Sequence, residues 1–369
     1  MTTQTHGGVL RTSDFDYELP ESLIAQTPIE PRDHSRLMSL SRADGGIRHQ
    51  RFYELPQLLR PGDVMVFNDS RVMPARLRGR RVIPSRLRDT RNIPSRLHDT
   101  RSSGGAIELL LLSRLSPGVW RAIGRPGRLL RPGSAFEVAG EGGAMHGEVL
   151  EIEPEGERIV RLDGEERLHD VGEVPLPPYI TETLADSERY QTVYAREEGS
   201  AAAPTAGLHF TDELLGQVRA IGVQTVFVTL HVGWGTFRPV KDDVPAEHTM
   251  HAEYWELSSD AADAIHRAKS EGRRVISVGT TAVRLLENAA SLSVDDLPHA
   301  GSGWADIFIT PGYRFKVVDA LITNFHLPRS TLLMLTSAFT SRDMMLRAYA
   351  EAVAQRYRFY SFGDAMFIH

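Results

Sequence analysis

Residues 201–240 read AAAPTAGLHFTDELLGQVRAIGVQTVFVTLHVGWGTFRPV, one αβ unit with small residues and imidazoles at both ends. Thr211 or Asp212 caps a helix whose apolar series is Leu214, Leu215, Val218 and Ile221, and Gly222 stops it. Val223 to Val232 is rich in Val, Phe, Thr and Leu, which predicts a strand buried on both faces, as in a parallel sheet covered by helices. Gly233 and Gly235 then admit backbone torsions closed to other residues and let amides approach a ligand. His209 and His231 fall at element ends, where an α/β fold opens its ligand crevice. Either histidine alone reads equally as a structural one. The pair, beside Gly-rich turns, makes this stretch a candidate site floor.

The chain has 369 residues, enough for two domains, with the apolar and charged fractions of an ordinary globular protein. Its net charge of −6 excludes a generic polyanion binder, so a nucleic-acid partner would have to be met by a local basic face. Cysteine is absent, which excludes disulfides, thiolate catalysis and cysteine-held zinc or iron–sulfur sites. No apolar run reaches the length of a membrane span, and the first residues lack the basic-then-apolar pattern of an export signal. A cytoplasmic protein with no membrane partner is expected.

Outward from the central unit, Arg36 to Phe52 reads as a hairpin around Ala43-Asp44-Gly45-Gly46. Val64 to Phe67 is a short buried strand running into Asn68-Asp69-Ser70-Arg71, a polar cluster placed for a crevice or, equally, an Asx turn with a solvated Arg. From Pro74 to Pro178 short β-rich runs alternate with Gly and Pro turns, which predicts a small inserted sandwich or barrel. Two decapeptides inside it, VIPSRLRDTR (82–91) and NIPSRLHDTR (92–101), read as a tandem duplication forming a basic loop. The expected division is 1–73 and 179–369 in one α/β domain, with 74–178 inserted. Arg189, Tyr190 and Arg196 within DSERYQTVYAR can stack on bases and pair with phosphate, or the segment can simply bury its aromatics. His248-Thr249-Met250-His251-Ala252-Glu253 suits acid–base or orienting roles better than metal ligation, since no third patterned ligand follows. Arg274 to Val278 predicts a strand, and Gly279-Thr280-Thr281 then opens a helix, an arrangement that binds anions at free amides or is an ordinary αβ turn. Further strands are expected at Asp306 to Ile309, Ala320 to Ile322 and Phe359 to Phe362. No G-x-G-x-x-G or G-x-x-x-x-G-K-[ST] occurs, so dinucleotide and NTP binding of the usual kinds are unsupported.

The stretches FDYELPESLIAQTPIEPRDHSRLM, GDVMVFNDSRVMPARL, VPLPPYI, RYQTVYAREEGSAAAPTAGLHFT, VTLHVGWGTFRPV, HTMHAEY, VGTTAVRLLE, TPGYRFKVVDALITNFHLPRSTLLML and YRFYSFGDAMFI together resemble the S-adenosylmethionine:tRNA ribosyltransferase-isomerase family of queuosine biosynthesis. The resemblance spans nearly the whole chain. It implies a three-layer α/β domain interrupted by an inserted small β-barrel domain. It also implies transfer and isomerisation of the ribosyl group of S-adenosylmethionine, as co-substrate, onto 7-aminomethyl-7-deazaguanine at a tRNA wobble position. Epoxyqueuosine in tRNA, adenine and methionine are the implied products.

That chemistry asks for a base to take a C5′ proton beside the sulfonium, an acid for the departing adenine and a neutral amine on the substrate; no electrons and no metal are required. The candidate proton carriers are His209, His231, His251 and His326, with Glu253 or Asp69 as orienting carboxylate or base. Thr205, Gly207, Gly233, Gly235, Thr236, Gly279, Thr280, Thr281 and Asn324 are the candidate nucleoside-binding residues. Arg71, Arg76, Arg189, Tyr190 and Arg196 are the candidates for RNA. A non-catalytic RNA-binding module and a nucleoside hydrolase are the competing readings. The duplicated decapeptides lengthen a connection that is short in the family, and Trp234 stands where a smaller residue is expected.

Overall fold

Four parallel strands form the centre of the larger sheet, in the order Gln224–Leu230, Val64–Asn68, Val275–Val278, Ala320–Asn324. The computed structural model describes residues 10–82, 103–140, 143–233, 242–245, 248, 250 and 252–369. Nearly all of the decapeptide pair, together with Trp234, Gly235, Thr236 and His251, lies outside the described residues. The chain divides into two compact units, Met1–Arg71 with Leu176–His369, and Val72–Pro175.

In the first unit, period-two side-chain alternation assigns each strand residue to one of two cores. Val64 and Val66 enter one core while Met65 and Phe67 enter the other, and Leu321 and Ile322 divide in the same way. Helices Ser259–Ser270, Thr280–Ser291, Thr331–Phe339 and Arg342–Ala354 cover the first face. The second is covered by Asp212–Ala220 and short 3-10 turns, so the unit has three layers. The sheet extends on both sides: Glu253–Leu257 and Gly301–Ala305 add antiparallel beyond Gln224–Leu230, and beyond Ala320–Asn324 come Ala365–Ile368 (antiparallel), Arg36–Leu40 (parallel to Ala365–Ile368) and Ile47–Arg51 (antiparallel to Arg36–Leu40).

The αβ unit at 211–230 forms as its residues dictate. The Thr211 hydroxyl accepts from the Leu214 amide to cap the helix, and Gly222 leaves it at φ +85°. One expectation is corrected: strand Gln224–Leu230 buries Val226, Val228 and Leu230, but Thr225, Phe227 and Thr229 are only half-buried. The strand lies next to the antiparallel edge, where helices cover a single face. Two strand positions also differ. The segment before Asp306 pairs as Gly301–Ala305, and the last strand is Ala365–Ile368, because 359–362 is spent on a turn that includes Tyr360 at φ +69°.

The second unit is a closed antiparallel barrel of strands Arg76–Val82, Ser103–Ser116, Val119–Arg125, Arg158–Asp163, Gly143–Ile152 and Ala135–Gly140, the last returning to the first. Closure removes unpaired edges from a unit too small to cover them otherwise. Gly147 is dictated by packing, since a Cβ there would lie 2.3 Å from the Phe136 ring.

Asn68 ties the ends of two parallel strands together. Its amide nitrogen donates to the Leu230 carbonyl at 2.9 Å, and its oxygen accepts from the amides of Leu230 at 3.0 Å and Ser70 at 3.1 Å. Replacing Asn68 with Ala strands these buried groups and is expected to cost about 2–4 kcal/mol. Urea unfolding of the variant checks this, and a midpoint equal to the parent's would contradict it.

Candidate functional site

Three of the four parallel strands lead into one cleft at their carboxyl ends. Val278 passes into Gly279, Ala320–Asn324 ends at Asn324 and His326, and Gln224–Leu230 runs on to Val232. Val232 in turn holds the incoming 200–204 segment: its amide donates to the Ser200 hydroxyl at 2.9 Å and its carbonyl accepts from the Ala201 amide at 2.9 Å. The cleft together with the open solvent at its mouth spans about 690 Å³. Its place outside the carboxyl ends of parallel strands is where open α/β sheets bind ligands.

Of the residues singled out from sequence, Thr205, Gly279, Thr280, Thr281, Asn324 and His326 line this cleft. Gly279 has φ +90°, open to glycine, and starts the twelve-residue helix Thr280–Ser291 with its unpaired first-turn amides. The Thr281 hydroxyl is buried with no partner among the described residues. His326 is buried, its Nε2 2.8 Å from the Thr323 hydroxyl, and its backbone amide donates to the Tyr349 hydroxyl at 2.8 Å. Burial pushes its pKa from the usual 6.5 down to about 3.

His209 is beneath the cleft and not in its lining. Its Nδ1 is 2.7 Å from the Ser35 hydroxyl, its Nε2 3.2 Å from the Asn324 amide nitrogen, and its ring stacks on Phe52 at 4.9 Å. Burial, with help from Arg358 and Arg32, depresses its pKa to about 3. Gly207 is also a packing residue, because a Cβ there would fall 1.9 Å from the Tyr194 hydroxyl.

Glu253 is buried and already engaged. One oxygen accepts from the Gly233 amide at 2.8 Å, and the other pairs with the Arg284 guanidinium, which also donates to the Ala305 carbonyl at 3.1 Å. The geometry gives it an anchoring role at the Gly233 turn, which argues against its serving as a free base. Asp69 lies in a separate cluster: Arg196 pairs with it at 2.7 Å and the Thr229 hydroxyl donates to it at 2.8 Å. His231 belongs to that cluster, stacked on Tyr254 at 6.1 Å. Burial lowers its pKa, opposed by the charges of Glu197, Asp69 and Glu256.

The RNA candidates divide as well. Tyr190 is fully buried against Phe362, so its ring cannot stack on a base, which corrects that expectation. Arg189 is held by Glu30 and the Ile29 carbonyl, both at 2.8 Å. Arg71 pairs with Glu188 at 2.5 Å, and Arg76, in the barrel, is 3.8 Å from Glu108. Arg196 keeps 61% of its side chain exposed despite its ion pair. Sequence reasoning missed Ser35, Arg284, Tyr179 and Tyr360. Arg284 had a signal, a cation inside an otherwise apolar helical run; Tyr179 and Tyr360, whose rings meet at 4.7 Å with their planes tilted by 47° in the cleft wall, had none.

The profile of the queuosine biosynthesis protein family matches residues 12–85 and 87–368. The S-adenosylmethionine:tRNA ribosyltransferase-isomerase of Desulfitobacterium hafniense is 52% identical over 97% of this chain and 100% of its own length. That of Symbiobacterium thermophilum is 53% identical over the same shares. The crystal structure of the S-adenosylmethionine tRNA ribosyltransferase from Thermotoga maritima is similar with TM-score 0.53 and 36% identity, covering 97% of this chain and 100% of that one.

Two outcomes follow from the buried groups. His209 and His326 stay neutral in the folded chain down to about pH 3 but take up protons near 6.5 when unfolded. The unfolded state therefore binds more protons across that window, and stability falls as pH drops through it, by up to about 1.4 kcal/mol per pH unit per histidine. Urea unfolding between about pH 7 and about pH 5 reads this slope, which is expected to flatten in His209→Gln and His326→Gln; an unaltered slope in both contradicts it. Glu253→Ala leaves Arg284 buried without its carboxylate and is expected to lose about 3–5 kcal/mol in the same assay, whereas a loss below about 1 kcal/mol would show the pair to be dispensable.

Proposed function

The chain belongs to the queuosine biosynthesis protein family, and from that premise we propose that it transfers and isomerises the ribosyl group of S-adenosylmethionine onto 7-aminomethyl-7-deazaguanine at the wobble position of a tRNA. Epoxyqueuosine in tRNA, adenine and methionine are the proposed products. The observation that carries this reading is the cleft at the ends of the parallel strands, which offers a helix N-terminus, an amide and a neutral imidazole together.

Each group suits one part of a zwitterionic sulfonium nucleoside. The free amides at Thr280–Thr281 and the partnerless Thr281 hydroxyl favour a carboxylate, here that of the methionine moiety. His326 is assigned the proton transfer at C5′, because among the described candidate imidazoles it alone lines the cleft. Its depressed pKa keeps a lone pair available at neutral pH and places no second positive charge beside the sulfonium. His251, outside the described residues, stands as the other candidate proton carrier. Adenine departs with the C1′–N9 electron pair and takes up a proton. The neutral amine of the tRNA base bonds to a ribosyl carbon, losing a proton, as that carbon's bond to the ring oxygen breaks. C5′ then bonds to C1′ to close the carbocycle, and the freed oxygen bonds to C5′ as methionine leaves with the C5′–S pair, so no external electrons enter. Arg196 is assigned to tRNA phosphate, since its exposed guanidinium can exchange part of its pairing with Asp69 for a phosphate. No helix is long and apolar enough to cross a membrane among the described residues; a cytoplasmic setting, with tRNA as partner, is part of the proposal.

Incubation with S-adenosylmethionine and precursor-bearing tRNA tests the function. Adenine release that requires the tRNA is expected, and His326→Ala is expected to lower turnover by about 10² or more. Adenine release without tRNA indicates a hydrolase, and tRNA binding without release indicates a binding module; either result overturns the proposal.

A further inference from the structure

The buried chain of Ser35, His209, Asn324 and Tyr360 has a polarity that the geometry fixes. The Asn324 amide nitrogen lies 3.1 Å from the Tyr360 carbonyl, which can only accept, so the side-chain amide cannot be flipped. Its second N–H then points to His209 Nε2 at 3.2 Å, and that nitrogen must be an acceptor. His209 is neutral and carries one ring proton, which therefore sits on Nδ1 and is donated to the Ser35 oxygen at 2.7 Å. The Thr205 hydroxyl donates to Asn324 Oδ1 at 3.2 Å. Both amide protons and one lone pair are thus engaged within the protein, and one lone pair on Oδ1 is left in a residue that lines the cleft.

We propose that Ser35 and His209 are positioning residues that lock the Asn324 amide so that its oxygen is a fixed acceptor for an N–H or O–H donor of the nucleoside bound in the cleft. The inference rests on the cleft being the nucleoside site. His209 itself is out of contact with the cleft, and its ring is pinned by Phe52 on one face. The same amide holds the carbonyl of Tyr360, whose left-handed backbone at φ +69° places its ring in the cleft wall. Without Ser35 to accept from Nδ1, nothing holds the His209 proton there, and an Nε2–H facing the Asn324 N–H would push the amide out of register with its Tyr360 and Thr205 partners and with the ligand.

A double-mutant cycle tests the coupling, read as kcat/KM for S-adenosylmethionine at saturating tRNA. Asn324→Ala is expected to lower it by about 100-fold, and Ser35→Ala by about 10-fold, mainly through KM. In the Asn324→Ala background, Ser35→Ala is expected to add less than about twofold, because its effect passes through the missing amide. Full additivity overturns the proposal. Nitrogen NMR of the His209 imidazole in the parent chain supplies a readout that needs no activity: a protonated Nδ1 and bare Nε2 are expected, and a proton on Nε2 overturns the assignment. A parent chain that releases no adenine sinks the proposed function instead, and leaves the NMR result to decide the relay.

Discussion

Parallel strands that bury both faces must end somewhere, and where they end their terminal polar groups need partners inside the protein. Asn68, Asn324 and the Gly233 turn meet that need in three ways. The first bridges two strand ends directly, the second recruits an imidazole and two other groups, and the third leans on a buried carboxylate that is itself paired with Arg284. The cleft exists because these ends are satisfied without being covered. Its polarity is therefore a by-product of how the sheet stops.

That origin shapes the electrostatics. Groups recruited to cap strand ends are buried, and burial favours their neutral forms. His209 and His326 consequently stand as uncharged imidazoles, while charged carboxylates such as Glu253 and Asp69 are matched to arginines. The cleft thus presents neutral donors and acceptors beside one helix N-terminus. The Asp69–Arg196 pair lies apart from the cleft lining with its guanidinium open to solvent, while the Glu253–Arg284 pair is buried.

The division of labour among histidines shows what residue patterns can and cannot convey. His209, His231 and His326 all sit at element ends, as the positions of the first two beside Gly-rich turns indicated, yet of these three only His326 lines the cleft. A spacing rule places an element's end to within a residue or two; which way a side chain then turns depends on neighbours far away in the chain, such as Ser35 for His209, 174 positions apart. The same holds for Tyr190, whose amphipathic character fits an interface or a core equally until Phe362 is seen against it.

Local chemistry in the sequence by itself determined the αβ units, their caps and glycine stops, the inserted β-rich region and the family resemblance, because those follow from propensity, periodicity and contiguous motifs. Only the tertiary structure decided that one barrel closes through the pairing of Arg76–Val82 with Ala135–Gly140, and that strand Gln224–Leu230 is buried on a single face. It also decided that Asn324, not His209, lines the cleft. Each of these depends on contacts between residues far apart along the chain, and pairwise packing of that kind leaves no local pattern to read.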